Sequence, residues 1–186
     1  MKTKLRPSSR DAIIESAFII LSQNPGAPLS DIAQQAGVGR ATLHRHFASR
    51  QALILALTHI AIEEMDAASE VAAATATSHL DALRKVLCAL IPLGDRHGFL
   101  AQEPVTDDPN IAAAFDRQQT ETEVLIEAAK TEGDIDPSVP TVWVRQAFDY
   151  LLYAAWDSVK ADEVTHKQAA ALAWRTLVAG LGSKQS

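Results

Sequence analysis

Apolar and small residues recur along this chain at intervals of three and four, with no stretch of strict apolar–polar alternation. That period is helical and not strand-like, and the abundance of alanine points the same way, so an all-α fold is expected. The segment SSRDAIIESAFIILSQN predicts a first helix, with Ser9 as N-cap, Asp11 in the first turn and Ile13, Ala17, Ile20 and Leu21 on one face. NPG at 24–26 stops it. A short second helix is expected over about 28–36, with Pro28 at its first position, where a missing N–H costs nothing. Gly37 marks a turn into a third helix near 40–46. A fourth starts near Ser49 and runs to about residue 73, a length of roughly 36 Å.

A fifth helix is predicted over about 79–91, ended by Pro92 and Gly94. The stretch to Asn110 reads as irregular, with a short helix near 95–103. Residues 109–132 form the next helix, with Pro109 near its start and Gly133 past its end. DIDPSVP is a loop, and two last helices are expected over about 140–160 and 163–180, closed by Gly180 and Gly182. The expectation is about nine helices: a three-helix head over residues 1–50, whose residues 1–9 form a flexible basic arm, and a helical body over 51–186.

Charge sharpens this division. The formal net charge is −6, yet residues 1–55 carry Lys2, Lys4, Arg6, Arg10, Arg40, Arg45 and Arg50 against only Asp11, Glu15 and Asp31. A basic head on an acidic body suggests that the head meets a polyanion. The 186 residues suffice for a small domain joined to a larger one. The single cysteine, Cys88, cannot form an internal disulfide, which fits a reducing compartment. MKTKLRPSSRD does not resemble a secretory leader and the apolar runs are far short of a membrane span, so a cytoplasmic protein without a membrane role is expected.

The stretch LSDIAQQAGVGRATLHRHF, residues 29–47, carries the marks of a helix-turn-helix. Ala33 and Ala36 are small enough for one helix to cross closely over another, and Gly37 supplies the positive φ that the turn demands. Leu29, Ile32, Val38, Leu43 and Phe47 are spaced to share a core with the first helix. Leu43 and Phe47 lie four apart on one stripe, which leaves Arg40, Thr42, His44, Arg45 and His46 for another surface. Such side chains donate to phosphates and base edges, and in this motif the second helix enters the major groove. A metal site would want its histidines three or four apart; His44 and His46 are two apart and diverge by about 200° on a helix. A catalytic pair would need a nucleophile and an oriented base in a cleft, and no such arrangement stands out. A merely solvated helix face remains the bland alternative.

From about Arg10 to Leu57 the chain resembles the tetracycline-repressor (TetR-type) transcriptional regulators, through IIESAFIIL, LSDIAQQAGVGRATLHRHF and ASRQALILAL. The resemblance implies that Arg40, Ala41, Thr42, His44, Arg45 and His46 touch DNA and that Arg50 grips a phosphate. The sequence departs from the family pattern at two places. His44 stands where tyrosine is usual, and Ala27–Pro28 replaces the usual Thr or Ser opening of the second helix, a loss that Ser30 partly replaces. No role is assigned to Ile19.

VWVRQAFDYLLYAAWDSV, residues 142–159, is apolar nearly all round, and AAALAWRTLVAGL, residues 169–181, is rich in alanine. A helix apolar on several sides is buried on several sides, and in a chain of this size that suggests a partner copy. A two-fold pairing of the helices at 140–160 and 163–180 makes a four-helix interface and a homodimer. Two heads so paired would read a palindromic site on double-stranded DNA. Leu83, Leu87, Cys88, Ile91, Phe99, Phe115, Leu125, Phe148, Tyr153 and Trp156 are candidates for an apolar cavity, though each is equally a plain core residue. The resemblance implies a small apolar or amphipathic inducer there. Leu87, Cys88, Ile91, Phe99, Phe115, Tyr153 and Trp156 are the chosen lining, with Arg84, Asp95, Arg96, His97 and Asp149 as polar handles. A ligand that prefers the wide-spaced state would tilt the fourth helix and move the heads out of register. No cofactor, metal or catalytic residue is expected. Besides the leading expectation of a DNA-binding regulator, an interaction protein with a degenerate head and an enzyme are the two rival readings.

Overall fold

The computed structural model describes residues 8–102 and 108–181. Those residues form nine α-helices and one 3-10 turn, with no strand among them: α1 (Ser9–Leu21), α2 (Leu29–Gln35), α3 (Arg40–His46), α4 (Arg50–Ala73), α5 (His79–Leu90), the 3-10 turn Ile91–Leu93, α6 (Gly94–Gln102), α7 (Pro109–Thr131), α8 (Thr141–Lys160) and α9 (His166–Leu181).

Local chemistry explains the helix ends. Ser8, not the expected Ser9, caps α1, accepting the Asp11 N–H at 3.2 Å. Ser9 is already helical, so the expected arm at 1–9 lies outside the described residues except for these two serines. Pro28 stands as the N-cap of α2 and not as its first helical residue. Asp108 caps α7, accepting the Asn110 N–H at 2.8 Å. Helix α2 closes in a Schellman turn: Gly37, at φ 66°, donates to the Gln34 carbonyl while Val38 donates to that of Ala33. Gly133, at φ 84°, closes α7 by the same pair of bonds.

The α8–α9 connection differs from expectation. Asp162 takes the left-handed conformation, φ 56°, and the N–H groups of Asp162 and Glu163 bond back to Val159 and Ser158. An aspartate therefore does the work of a C-cap glycine. The last helix then restarts only at His166, not at 163, behind a capping box: Thr165 Oγ1 accepts the Gln168 N–H at 3.3 Å and Gln168 Oε1 accepts the Thr165 N–H at 2.9 Å.

The described residues fall into two compact units. The first comprises 8–62 with 95–102 and 108–111; the second comprises 63–94 with 112–181. The first thus takes α6 and extends beyond the expected boundary at residue 50. Its core gathers Ile13, Phe18 and Leu21 of α1, Ile32 of α2, Leu43 of α3, Leu53 and Leu57 of α4, and Phe99 of α6. Phe99 meets Phe18 edge to face, with ring centroids 5.5 Å apart. Around this pair, Arg96 lies 4.6 Å over the Phe18 ring and reaches Glu15 at 2.5 Å, and Gln102 donates to the Ser22 carbonyl at 2.6 Å. Gly98 admits the approach, since a Cβ there would stand 3.3 Å from that of Ser22. His97 sits in the same helix, and burial pushes its imidazole from the ordinary 6.5 down to about 3.

The second unit is built on the pairing of α8 with α9. Ala169, Ala170 and Ala173 of α9 bring its backbone close to a core of Leu83, Leu87, Ile91, Phe148 and Leu152. The Trp156 indole donates its N–H to the Leu90 carbonyl at 3.2 Å. Gly94 leaves room for that ring, because a Cβ at this position would fall 2.8 Å from Trp156 Cδ1. Arg117 and Gln118 of α7 both bond Asp66 of α4 at 2.6 Å.

Two measurements check this account. Phe99→Ala removes half of an aromatic pair from the first core and is expected to cost roughly 3–5 kcal/mol in urea unfolding; a cost near zero would remove α6 from that core. His97 is held neutral in the folded chain, so its contribution is present above the ordinary imidazole value and drains away as pH falls from about 6.5 toward 3. Thermal melting at about pH 7.5 and pH 5 should show a larger drop for the wild type than for His97→Gln, and equal drops would contradict it.

Candidate nucleic-acid interface

Helix α3 has seven residues, too few to persist by propensity alone. Its orientation is set by what it buries. Leu43 is 1% exposed and Phe47, its C-cap, 4%. These two anchors lie one turn apart and fix the inward stripe. Arg40, Ala41, His44, Arg45 and His46 are exposed in consequence, and Thr42 is half-buried. Arg45 Nη2 donates to Thr42 Oγ1 at 3.0 Å, which holds the guanidinium along the helix surface.

A cleft of about 200 Å³ lies between the start of α2 and α3, lined by Leu29, Ser30, Arg40, Leu43 and His44. A hydroxyl, a guanidinium and an imidazole from two helices thus share one concavity, and each can donate to a phosphate oxygen. Ser30 also donates to Asp31 Oδ1 at 3.2 Å. Pro28 gives α2 no side-chain cap, so Ser30 is the hydroxyl this end of the helix offers to the cleft.

The structure gives Arg50 a task the sequence did not suggest. Its half-buried guanidinium donates from Nη1 to the Ala27 carbonyl at 2.7 Å and from Nη2 to the Pro25 carbonyl. It ties the start of α4 to the turn between α1 and α2, where a phosphate grip was expected. Arg10 was not singled out as a site residue either, yet its Cζ stands 5.8 Å over the Phe47 ring. No spacing in the sequence announces a contact between residues so far apart.

The expected cavity residues scatter. Leu87, Ile91 and Trp156 do meet in the core of the second unit. Phe115 is half-buried on α7. Phe99 is excluded from that group, because it belongs to the core of the first unit. Cys88 is exposed, since the stripe of α5 that turns inward is that of Leu83, Leu87 and Leu90. Tyr153 is 38% exposed and stacks edge-on against Trp156 at 5.7 Å. Of the polar handles, Arg84 pairs with Asp81 on α5, while Asp95, Arg96 and His97 lie on α6. Asp149 pairs with Arg145, and burial raises its carboxyl above the ordinary range. Among the described residues no group of three or more His, Cys, Asp or Glu is placed to hold a metal ion.

The model of bacterial regulatory proteins of the tetR family matches residues 13–57, which runs from within α1 to the first part of α4. The HTH-type transcriptional repressor LfrR of Mycolicibacterium smegmatis is 34% identical over 163 residues, covering 87% of this chain and 85% of its own length. This chain belongs to the TetR family. It is a DNA-binding transcriptional regulator and not an enzyme. The crystal structure of LfrR from Mycobacterium smegmatis in complex with proflavine superposes with a TM-score of 0.74 at 32% identity, covering 92% of this TetR-family chain and 95% of that one. The ketosteroid regulator KstR2 of Mycobacterium tuberculosis reaches a TM-score of 0.83 over 99% of this chain and 100% of its own, at 16% identity, a likeness of fold.

Two arginines of this TetR-family head should separate by experiment. Arg50→Ala removes charge-assisted bonds to two carbonyls and is expected to lower stability by about 1–3 kcal/mol in thermal or urea unfolding. Arg45→Ala should leave the melting temperature nearly unchanged and weaken DNA binding. A stable Arg50→Ala protein would overturn the structural role given to this side chain.

Proposed function

We propose that this regulator is a homodimeric repressor that binds a palindromic operator in double-stranded DNA and is released from it by a small apolar or amphipathic ligand. The observation that carries the reading is the outward stripe of α3, Arg40, Ala41, His44, Arg45 and His46, fixed by the burial of Leu43 and Phe47. Thr42 and Ser30 complete the reading surface, and His44, with Ser30 and Arg40 in the same cleft, replaces a phenol with an imidazole as donor to a phosphate.

The dimer reading rests on apolar surface. Val142, Trp143 and Tyr150 of α8 are 49%, 62% and 71% exposed, and Leu172 of α9 is 44% exposed. Large exposed apolar side chains on neighbouring helices mark an interaction surface. A second copy related by a two-fold axis would cover the same patch on both subunits. Two recognition helices then meet successive major-groove faces about 34–36 Å apart, which a palindrome supplies. Ligand release is supported by LfrR, whose structure holds proflavine. In this chain Leu87, Ile91, Phe115 and Trp156 remain the candidate apolar lining, with Asp149 as a polar neighbour. A tenfold loss of operator affinity asks for only ~1.4 kcal/mol of preferential ligand binding to the released state. No described helix is long and apolar enough to cross a membrane, and a repressor of this kind works in the cytoplasm.

Light scattering behind size-exclusion chromatography should give a dimer for the wild type at micromolar concentration. The double variant Trp143→Glu/Tyr150→Glu should be monomeric and bind a duplex that the wild type selects from a random-sequence pool at least tenfold more weakly. A monomeric wild type that still binds a palindrome tightly would sink the proposal.

A further inference from the structure

Of the residues that line the cleft between α2 and α3, His44 alone carries a group whose charge changes near neutral pH. The others are Leu29, Ser30, Arg40 and Leu43, and no carboxylate is among them. Helix α3, RATLHRH, holds no acid, and α2, LSDIAQQ, holds one, Asp31, whose Oδ1 takes the Ser30 hydroxyl at 3.2 Å. The charged and titratable groups around His44 are therefore Arg40, Arg45 and His46 of its own helix and Asp31 of α2. Arg45 is held against Thr42 at 3.0 Å, and His46 lies outside the lining. Helices α1 and α4 give the cleft no lining residue.

An anion in this cleft would act on the charge of the imidazole. Neutral imidazole offers one N–H donor, whereas imidazolium offers two together with a positive charge. A phosphate oxygen drawn in beside Ser30 and Arg40 would favour imidazolium, because an opposite charge within about 4–6 Å stabilises the charged form. A phenol in the same place would donate to that oxygen with no change of charge below about pH 10. Histidine at this position thus brings a proton into an equilibrium that tyrosine would leave without one.

We infer that this regulator takes up a proton at His44 of each head when it binds DNA, so that its grip on the operator tightens as pH falls. The inference rests on the reading of α3 as the DNA-reading helix and gives that surface a second input, the proton. Affinity is flat at high pH, where the imidazole is neutral both free and bound. It rises as pH falls and the complex gains the proton first, and it levels off once both states are charged. Each head adds at most about one proton, which bounds the slope of log K against pH at about −1 per head. His97 takes no part between pH 8 and pH 6, because burial holds its imidazole down at about 3.

The test uses the full-length protein and a duplex that the wild type selects from a random-sequence pool at about pH 7. Affinity is titrated at constant ionic strength from about pH 8 to about pH 6. The wild type should bind about tenfold more tightly at the lower end. His44→Tyr, which keeps a donor and loses the titration, should remove most of that gain, and His46→Gln should keep it. A wild-type affinity that does not change across the range would overturn the inference, as would a gain that survives His44→Tyr or disappears in His46→Gln. If His44→Tyr binds no duplex, the wild-type imidazole itself decides. Its ring C–H resonances, assigned by their absence from the His44→Tyr spectrum, are followed against pH with and without duplex. The midpoint should rise when duplex is present, and an unmoved midpoint would overturn the inference. A wild type that selects no duplex at all would instead overturn the reading of α3.

Discussion

The reading head depends on the burial of two side chains, Leu43 and Phe47. Helix α3 has one side-chain stripe to commit to the core and too few residues for stability of its own. Without those anchors it would have neither a fixed rotation about its axis nor a reason to remain helical. With them, Arg40, Ala41, His44, Arg45 and His46 are committed to the outside. The partners of the anchors come from α1, α2 and α4, so the whole first unit can be seen as the socket that holds two apolar knobs in register. The Schellman turn at Gly37 and the Arg50 bonds to the turn before α2 then set the angle from which the socket presents them.

The second unit solves a different problem. In its α8–α9 pair, alanines of α9 pack onto a core that includes Phe148 and Leu152 of α8, while Trp143, Tyr150 and Leu172 stay in solvent. Large apolar side chains left in solvent are what an isolated helical hairpin avoids. The arrangement makes sense when the outer face is itself a core shared with another copy, as in the proposed dimer.

Much of this was legible in the sequence. The helical period, the proline and glycine stops and the spacing of Leu43 and Phe47 are local signals, and they located nearly all the helices and the outward stripe of α3. Helix ends failed by a residue or by three where a competing local motif won. Ser8 displaced Ser9 as cap, and Asp162, in a glycine-like conformation, delayed α9 until the Thr165–Gln168 box could start it. That box was readable in THKQ. What could not be read was which core an apolar residue joins. Phe99 looked like a body residue by its place in the chain, and only tertiary packing put it against Phe18. Cys88 had an apolar look and a neighbour, Leu87, that took the inward position. Arg50 carried a family expectation, but its carbonyl partners lie more than twenty residues away.

The union of α6 with α1 bears on how such regulators can be recombined. A module for exchange is naturally cut after the helix-turn-helix, near residue 50. Here that cut would carry Phe18 away and leave behind Phe99 and Arg96, the side chains that cover it. Glu15 would lose its guanidinium and the Ser22 carbonyl its amide donor at the same stroke. The smallest transplantable head of this chain is therefore discontinuous: its N-terminal helices together with the segment 95–102, inserted as a graft into whatever body receives them.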